Sequence, residues 1–179
     1  DWIRAKRAKY FNLRTTKLVG IEIPVEQFIV DDIPNVIMIG SLDLIFYNKN
    51  TETYEIWDIK TSTKGWNDKD KKDKLKIAQL LLYKYFYSRG LKVDQDKVKV
   101  KFFIVKRRPY VNPDFPTKLV QEFEPAQGTK KVKDAVAELE AFVRDCFTTD
   151  AKYVDKEYPK NFDSCKWCPF KDNDELCPK

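Results

Sequence analysis

The sequence contains no histidine. Whole chemistries go with it: a Ser-His-Asp or Cys-His triad, an HExxH metalloprotease helix and a His-rich zinc site cannot be built. Any metal must be held by carboxylates, backbone carbonyls or thiolates. No stretch approaches the ~18 consecutive apolar residues of a membrane span. Methionine occurs once, as Met38, and the chain does not begin with it. The expectation is a trimmed chain with a segment preceding residue 1. Residues Asp1 to Tyr10 carry Arg4, Lys6, Arg7 and Lys9 with no apolar run behind them, which reads as a short basic helix rather than a secretory signal. The four cysteines come late, at 146, 165, 168 and 177, and do not form a disulfide framework for a chain of this size. They point to a reducing, cytoplasmic setting.

Against these absences stand 179 residues, 42% hydrophobic and 14% aromatic, enough for one domain with a real core and too apolar for disorder. Val- and Ile-rich segments predict strands over Lys17 to Val30, Val36 to Tyr47, Tyr54 to Lys60 and Lys97 to Val105, with a shorter one at Lys118 to Phe123. Pro24 places the first of these at a sheet edge or a bulge. Helical spacing runs from Leu75 to Arg89 through Leu75, Ala78, Leu82 and Tyr85, with Gly90 as its C-terminal cap. A second helix spans Lys131 to Phe147, with Val132, Val136, Leu139, Val143 and Cys146 on one stripe. The order α-β-β-β-α-β-(β)-α predicts an α/β fold around a mixed sheet flanked by helices.

Two acids interrupt the apolar strands: Asp43 in SLDLIF and Asp58 in EIWDIK. The polar turn between them is centred between Asn50 and Thr51. A hairpin about that point sets Tyr47 opposite Tyr54, Ile45 opposite Ile56, and Asp43 opposite Asp58. Directly opposed Cβ atoms lie roughly 5 Å apart, where like charges destabilise a sheet. A hard divalent cation resolves the conflict, since Mg²⁺ takes oxygen ligands and often binds two carboxylates together with waters and substrate phosphate. The backbone carbonyl of Ile59 is a candidate third ligand. Lys60 shares a strand face with Asp58 and would stand beside the metal-bound water, placed to orient that water, lower its pKa or stabilise charge on a scissile phosphate. The alternative is a solvent-facing sheet with the register slipped by one, leaving Asp58 and Lys60 as surface charges.

Together, Gly40-x-x-Asp43, Asp58-x-Lys60-Thr61 and Gln79-x-x-x-Tyr83 resemble the PD-(D/E)XK nuclease superfamily, and within it the RecB-like exonuclease branch, which includes the CRISPR-associated and lambda-type exonucleases. The resemblance covers roughly Lys17 to Val105. It implies a restriction-endonuclease-like αβββαβ core and Mg²⁺- or Mn²⁺-dependent phosphodiester hydrolysis. Asp43 and Asp58 would be metal ligands and Lys60 the catalytic lysine. It also turns the helix face of Gln79 and Tyr83 toward the active site and the DNA backbone, with Thr61 as a further DNA contact. Many RecB-like members carry a metal-binding histidine upstream of GxxD, which this chain lacks. Glu26, in the preceding strand, is a weak candidate for an extra acid, with a surface glutamate as the alternative. On this reading residues 1–148 form the nuclease-like domain, and 149–179 form a cysteine-bearing extension packed on it.

Lys106, Arg107 and Arg108, just past a strand end, are candidate phosphate contacts, and the +6 net charge with a pI near 9.0 agrees with a nucleic-acid partner. The segment 64–76 holds six lysines, three aspartates and Trp66, and reads as a mobile loop able to meet DNA. Cys165-x-x-Cys168-x8-Cys177 has metal-ligand spacing. RecB-like nucleases often end in three cysteines that, with one further upstream, hold an iron–sulfur cluster. By resemblance the tail binds a [4Fe-4S] cluster or Zn²⁺, with Cys146 as a weak fourth ligand and a buried hydrophobe as that residue's alternative. The function that follows is a metal-dependent deoxyribonuclease, an exonuclease in recombination, repair or phage DNA processing. It would act on single- or double-stranded DNA, with protein partners in a recombination or replication complex and no membrane. The alternative from another class is a non-catalytic nucleic-acid-binding module that keeps the fold.

Overall fold

The computed structural model describes residues 12–108, 111, 118–157, 162, 165–171, 173 and 175–177. The basic helix expected over Asp1 to Tyr10 lies outside the described residues. Five strands form one sheet in sequential order: β1 (Thr16–Phe28), β2 (Ile37–Asn48), β3 (Thr53–Ser62), β4 (Val98–Lys106) and β5 (Val120–Phe123). Neighbours run antiparallel except β3 and β4, which are parallel. A parallel pair needs a long crossover. Here it carries the single turn α1 (Asp68–Lys71) and the long helix α2 (Lys74–Leu91), while α3 (Thr129–Cys146) follows β5. This is the mixed sheet flanked by helices that the sequence predicts.

Alternation makes the sheet two-faced. Along β4, Val98, Val100, Phe102 and Ile104 are buried, whereas Lys99 is exposed and Lys101 half-buried between them. The buried set packs with Leu42, Ile45, Ile56, Leu80, Tyr83 and Phe86 in one core between sheet and α2. Lys101 lies on the other face, 4.0 Å from the Trp57 ring centroid, and pairs with Glu55 and Glu122. β1 is indeed the edge strand, with Pro24 opposite Ser41.

Helix α2 departs from the predicted stripe. Leu75 is 85% exposed, and the buried residues are Leu80, Leu81, Tyr83, Lys84, Phe86, Tyr87 and Ser88. The helix is covered twice: Leu80, Tyr83 and Phe86 join the sheet-side core, while Leu81 packs with Val132 and Ala135 of α3. Burial on two sides erases the one-sided periodicity from which a stripe is read. Asp73 caps its start by accepting from the Leu75 and Lys76 N–H groups. Its end is not Gly90 but Lys92, a left-handed C-cap at φ 55°. Gly90 lies inside the helix, where a Cβ would stand 2.7 Å from Gln27 Nε2, which donates to the Phe86 carbonyl at 2.7 Å.

The 64–76 segment is pinned where the sequence suggests a mobile loop. Trp66 is buried, with its ring centroid 4.7 Å from Phe102 and 6.4 Å from Phe123. Gln121 of β5 accepts from the Trp66 N–H at 2.7 Å and donates to its carbonyl at 3.0 Å, so a side-chain amide does the work of a strand. Gly65 makes the approach possible: its φ is +106°, and a Cβ would stand 2.8 Å from Gln121 Oε1. Gly65→Ala therefore costs about 1–3 kcal/mol through backbone strain and contact. A urea midpoint equal to wild type would contradict this.

Candidate active site

The hairpin register is the one the turn predicts: Tyr47 faces Tyr54, Ile45 faces Ile56, and Leu44 faces Trp57. The ladder then stops, one pair short of Asp43 and Asp58. Strand β2 changes face at this point. Leu42 and Ile45 are both fully buried in the same core, although residues three apart in a regular strand point to opposite sides. The β1–β2 register also skips Asp43, opposite a Glu22 held at φ 51°. Asp43 thus sits at an irregularity. Its Oδ2 reaches across to β3 and accepts the Ile59 N–H at 2.6 Å. The two acids come together through this backbone contact rather than as a ladder pair.

Asp58 is only 3% exposed, on the face that carries Ile56 and looks toward α2. Burial pushes its carboxyl above the ordinary carboxylate range. The hydrogen bond and charge of Lys60 oppose that push, and the charge of Asp43 adds to it. Lys60 Nζ donates to Asp58 Oδ1 at 3.2 Å and stands 2.9 Å from Oδ2, without hydrogen-bond geometry to the second oxygen. Oδ2 is buried and accepts no hydrogen bond among the described residues. Apart from the Lys60 ammonium it has no polar partner among the described residues, which leaves a lone pair for a further ligand.

Lys60 also donates to Gln79 Oε1 of α2 at 3.3 Å. Gln79 Nε2 in turn donates to the Tyr83 hydroxyl at 3.0 Å, and Tyr83 is buried. Gly40 explains how the helix comes this close: a Cβ there would stand 3.0 Å from Tyr83 Cε1. The three short motifs therefore meet at one place. Sequence reading put Gln79 and Tyr83 near the site but missed the contact of Gln79 with Lys60. The two residues lie 19 positions apart on different elements, and no local pattern signals such a contact.

Other candidates are placed differently. Glu26 is exposed and paired in register with the exposed Ile39, and the structure does not bring it to the two aspartates. Thr61 is exposed and, by alternation, faces away from Lys60. The Arg107 and Arg108 N–H groups donate to the Ser62 and Thr63 carbonyls, carrying the β3–β4 pairing past the strand ends. Both side chains are exposed there, with Arg107 Nη2 3.3 Å from Thr63 Oγ1, while Lys106 is half-buried.

Among the described residues no three His, Cys, Asp or Glu side chains gather as a metal site. For the tail this leaves the expected iron–sulfur cluster or zinc unsupported. Cys146 is buried at the end of α3, Cys165, Cys168 and Cys177 are half-buried, and all four are free thiols. Ligand-like spacing along the chain does not by itself converge four sulfurs. For Asp43 and Asp58 the outcome differs. Two hard carboxylates, one of them buried, suit Mg²⁺ or Mn²⁺, which needs only one or two protein carboxylates when waters and substrate phosphate complete the shell.

Among the described residues no helix is long and apolar enough to cross a membrane. No curated protein matches the chain. A crystal structure of SSO0001 aligns with 99% of it at 19% identity and a TM-score of 0.46, and the chain spans 66% of that protein's length. The sequence profile of one family matches nearly the whole chain, residues 2–177, and its fold agrees with the strands and helices described above. The chain belongs to the PD-(D/E)XK nuclease superfamily.

Proposed function

We propose that this nuclease is a divalent-metal-dependent deoxyribonuclease in which Asp43 and Asp58 hold the metal and Lys60 is the catalytic lysine. One observation carries the reading: the Asp58 carboxylate is buried on the α2 side of the sheet, close enough to feel the charge of Asp43, with the Lys60 ammonium 2.9 Å from its Oδ2. Burying an acid this way raises the free energy of its charged form. A fold keeps such a group where a ligand or a reaction uses it. The Ile59 carbonyl is the third ligand we assign, since the Ile59 N–H already keys Asp43 to this residue.

A bound Mg²⁺ or Mn²⁺ supplies Lewis acidity toward a phosphodiester and toward the attacking water. The chain's own residues do the rest. The ammonium of Lys60, held between Asp58 and Gln79, is a preorganised positive charge that offsets charge developing on the scissile phosphate. The Ile59 N–H fixes the Asp43 carboxylate, so the pair of acids is set before substrate arrives. Lys106, Arg107 and Arg108, at the shared end of β3 and β4, are the DNA-backbone contacts we assign; Thr61, on the face away from Lys60, is left out of that set.

The finer reading is an exonuclease of recombination, repair or phage DNA processing, on the RecB-like resemblance of GxxD, DxKT and QxxxY. End-labelled linear DNA and covalently closed circular DNA, each with Mg²⁺, Mn²⁺ or EDTA, test it. Loss of the linear substrate alone, and only with metal, is the expected result. Nicking of the circle replaces exonuclease by endonuclease. DNA binding without metal-dependent product in any arm rejects the enzyme and leaves a binding module.

A further inference from the structure

We infer that Tyr83 is a positioning residue for Lys60, acting through Gln79, and not a nucleic-acid contact. The inference rests on Lys60 being the catalytic lysine. Tyr83 is 6% exposed, so little of its surface can meet a ligand. Its ring is seated against bare backbone at Gly40, where a Cβ would stand 3.0 Å from Cε1 and 3.6 Å from the hydroxyl. That seat fixes the hydroxyl, which accepts from Gln79 Nε2 at 3.0 Å. A primary amide has one donating end and one accepting end. With its NH₂ end engaged by Tyr83, Gln79 keeps its carbonyl oxygen turned to Lys60, at 3.3 Å.

The arrangement gives Lys60 two acceptors of different kinds. Asp58 is charged and belongs to the metal-holding pair; Gln79 is neutral and belongs to the helix. When Asp58 gives its charge to a cation, Gln79 is the acceptor that keeps the ammonium in place. A glutamine alone has three free side-chain torsions and holds nothing firmly. Tyr83, one turn further along α2, removes that freedom. Gly40 belongs to the same device, because a side chain there would push the ring off its seat.

Tyr83→Phe keeps the ring and removes only the hydroxyl. Single-turnover cleavage should slow about 10- to 100-fold, the cost of a misplaced catalytic group. The affinity for DNA, measured without metal, should stay within about two-fold. In a Gln79→Ala background the same change should cost nothing further, since a residue acting through another is silent once that partner is gone. The metal-free protein provides an independent readout: the ¹⁵N-resolved side-chain NH₂ of Gln79 should lose its exchange protection in Tyr83→Phe. Wild-type cleavage rates in Tyr83→Phe, weakened DNA affinity with an unchanged cleavage rate, or additive losses in the double variant each overturn the inference. If the wild type cleaves no DNA with Mg²⁺ or Mn²⁺, the nuclease reading of the site fails instead. The Gln79 signal then decides alone, and a signal unchanged by Tyr83→Phe contradicts the positioning role.

Discussion

Asp58→Asn should abolish cleavage while leaving the metal-free protein at least as stable as wild type. The two halves have one cause. Burial is the largest influence on Asp58 and raises its pKa; the Lys60 hydrogen bond and charge only partly offset it. The folded pKa therefore lies above the unfolded one, and between the two the folded state binds more protons. Stability falls as pH rises through that window and stays reduced at neutral pH. Asparagine has the same shape and no charge to desolvate, so it removes both the penalty and the slope. Lys60 is not stranded by the change, since its side chain is 32% exposed and keeps Gln79. The cost falls on chemistry, because a neutral amide is a poor ligand for a hard divalent cation. Denaturation at pH 7 and across the acid limb, alongside a cleavage assay, checks both halves. A large loss of metal-free stability would mean that the ion pair serves the fold.

Trp66→Ala should cost about 3–5 kcal/mol, the range for emptying a large aromatic site. For a protein of this size that lowers the melting temperature by about 10 °C. The ring fills the space beside Phe102 and Phe123, and Lys76 Nζ lies 5.0 Å from its centroid. Its backbone is held by Gln121, so the residue fastens the connection leaving β3 to the far edge of the sheet. Were Trp66 the tip of a solvated loop, as its lysine-rich surroundings suggest, the change would stay within about 0.5 kcal/mol. Urea unfolding separates the two.

That contrast shows which parts of the molecule are legible in a sequence. Local periodicity carries β4, because Val98, Val100 and Phe102 alternate with Lys99 and Lys101 and the core needs only one face. Turn position carries the β2–β3 register, and spacing by two carries the shared face of Asp58 and Lys60. The break in β2 at Asp43 is different. It depends on the irregular β1 opposite and on the Ile59 N–H across the hairpin, and neither leaves a local pattern. Glycine commonly ends helices, yet Gly90 lies within one and makes room for Gln27, 63 positions earlier in the chain. The lysine-rich segment hid Trp66 because flanking charge says nothing about what one aromatic ring meets. In the tail, ligand spacing is visible in the sequence, but among the described residues the sulfurs do not gather as a metal site.

Lys60, held between Asp58 and Gln79, is the residue we assign to metal-dependent phosphodiester hydrolysis. Single-turnover cleavage of end-labelled DNA by wild type and Lys60→Ala, with the DNA affinity of both measured in EDTA, tests it most directly. The account predicts metal-dependent cleavage by wild type and a rate at least about 100-fold lower in Lys60→Ala, at similar DNA affinity. Equal rates for the two proteins would contradict it.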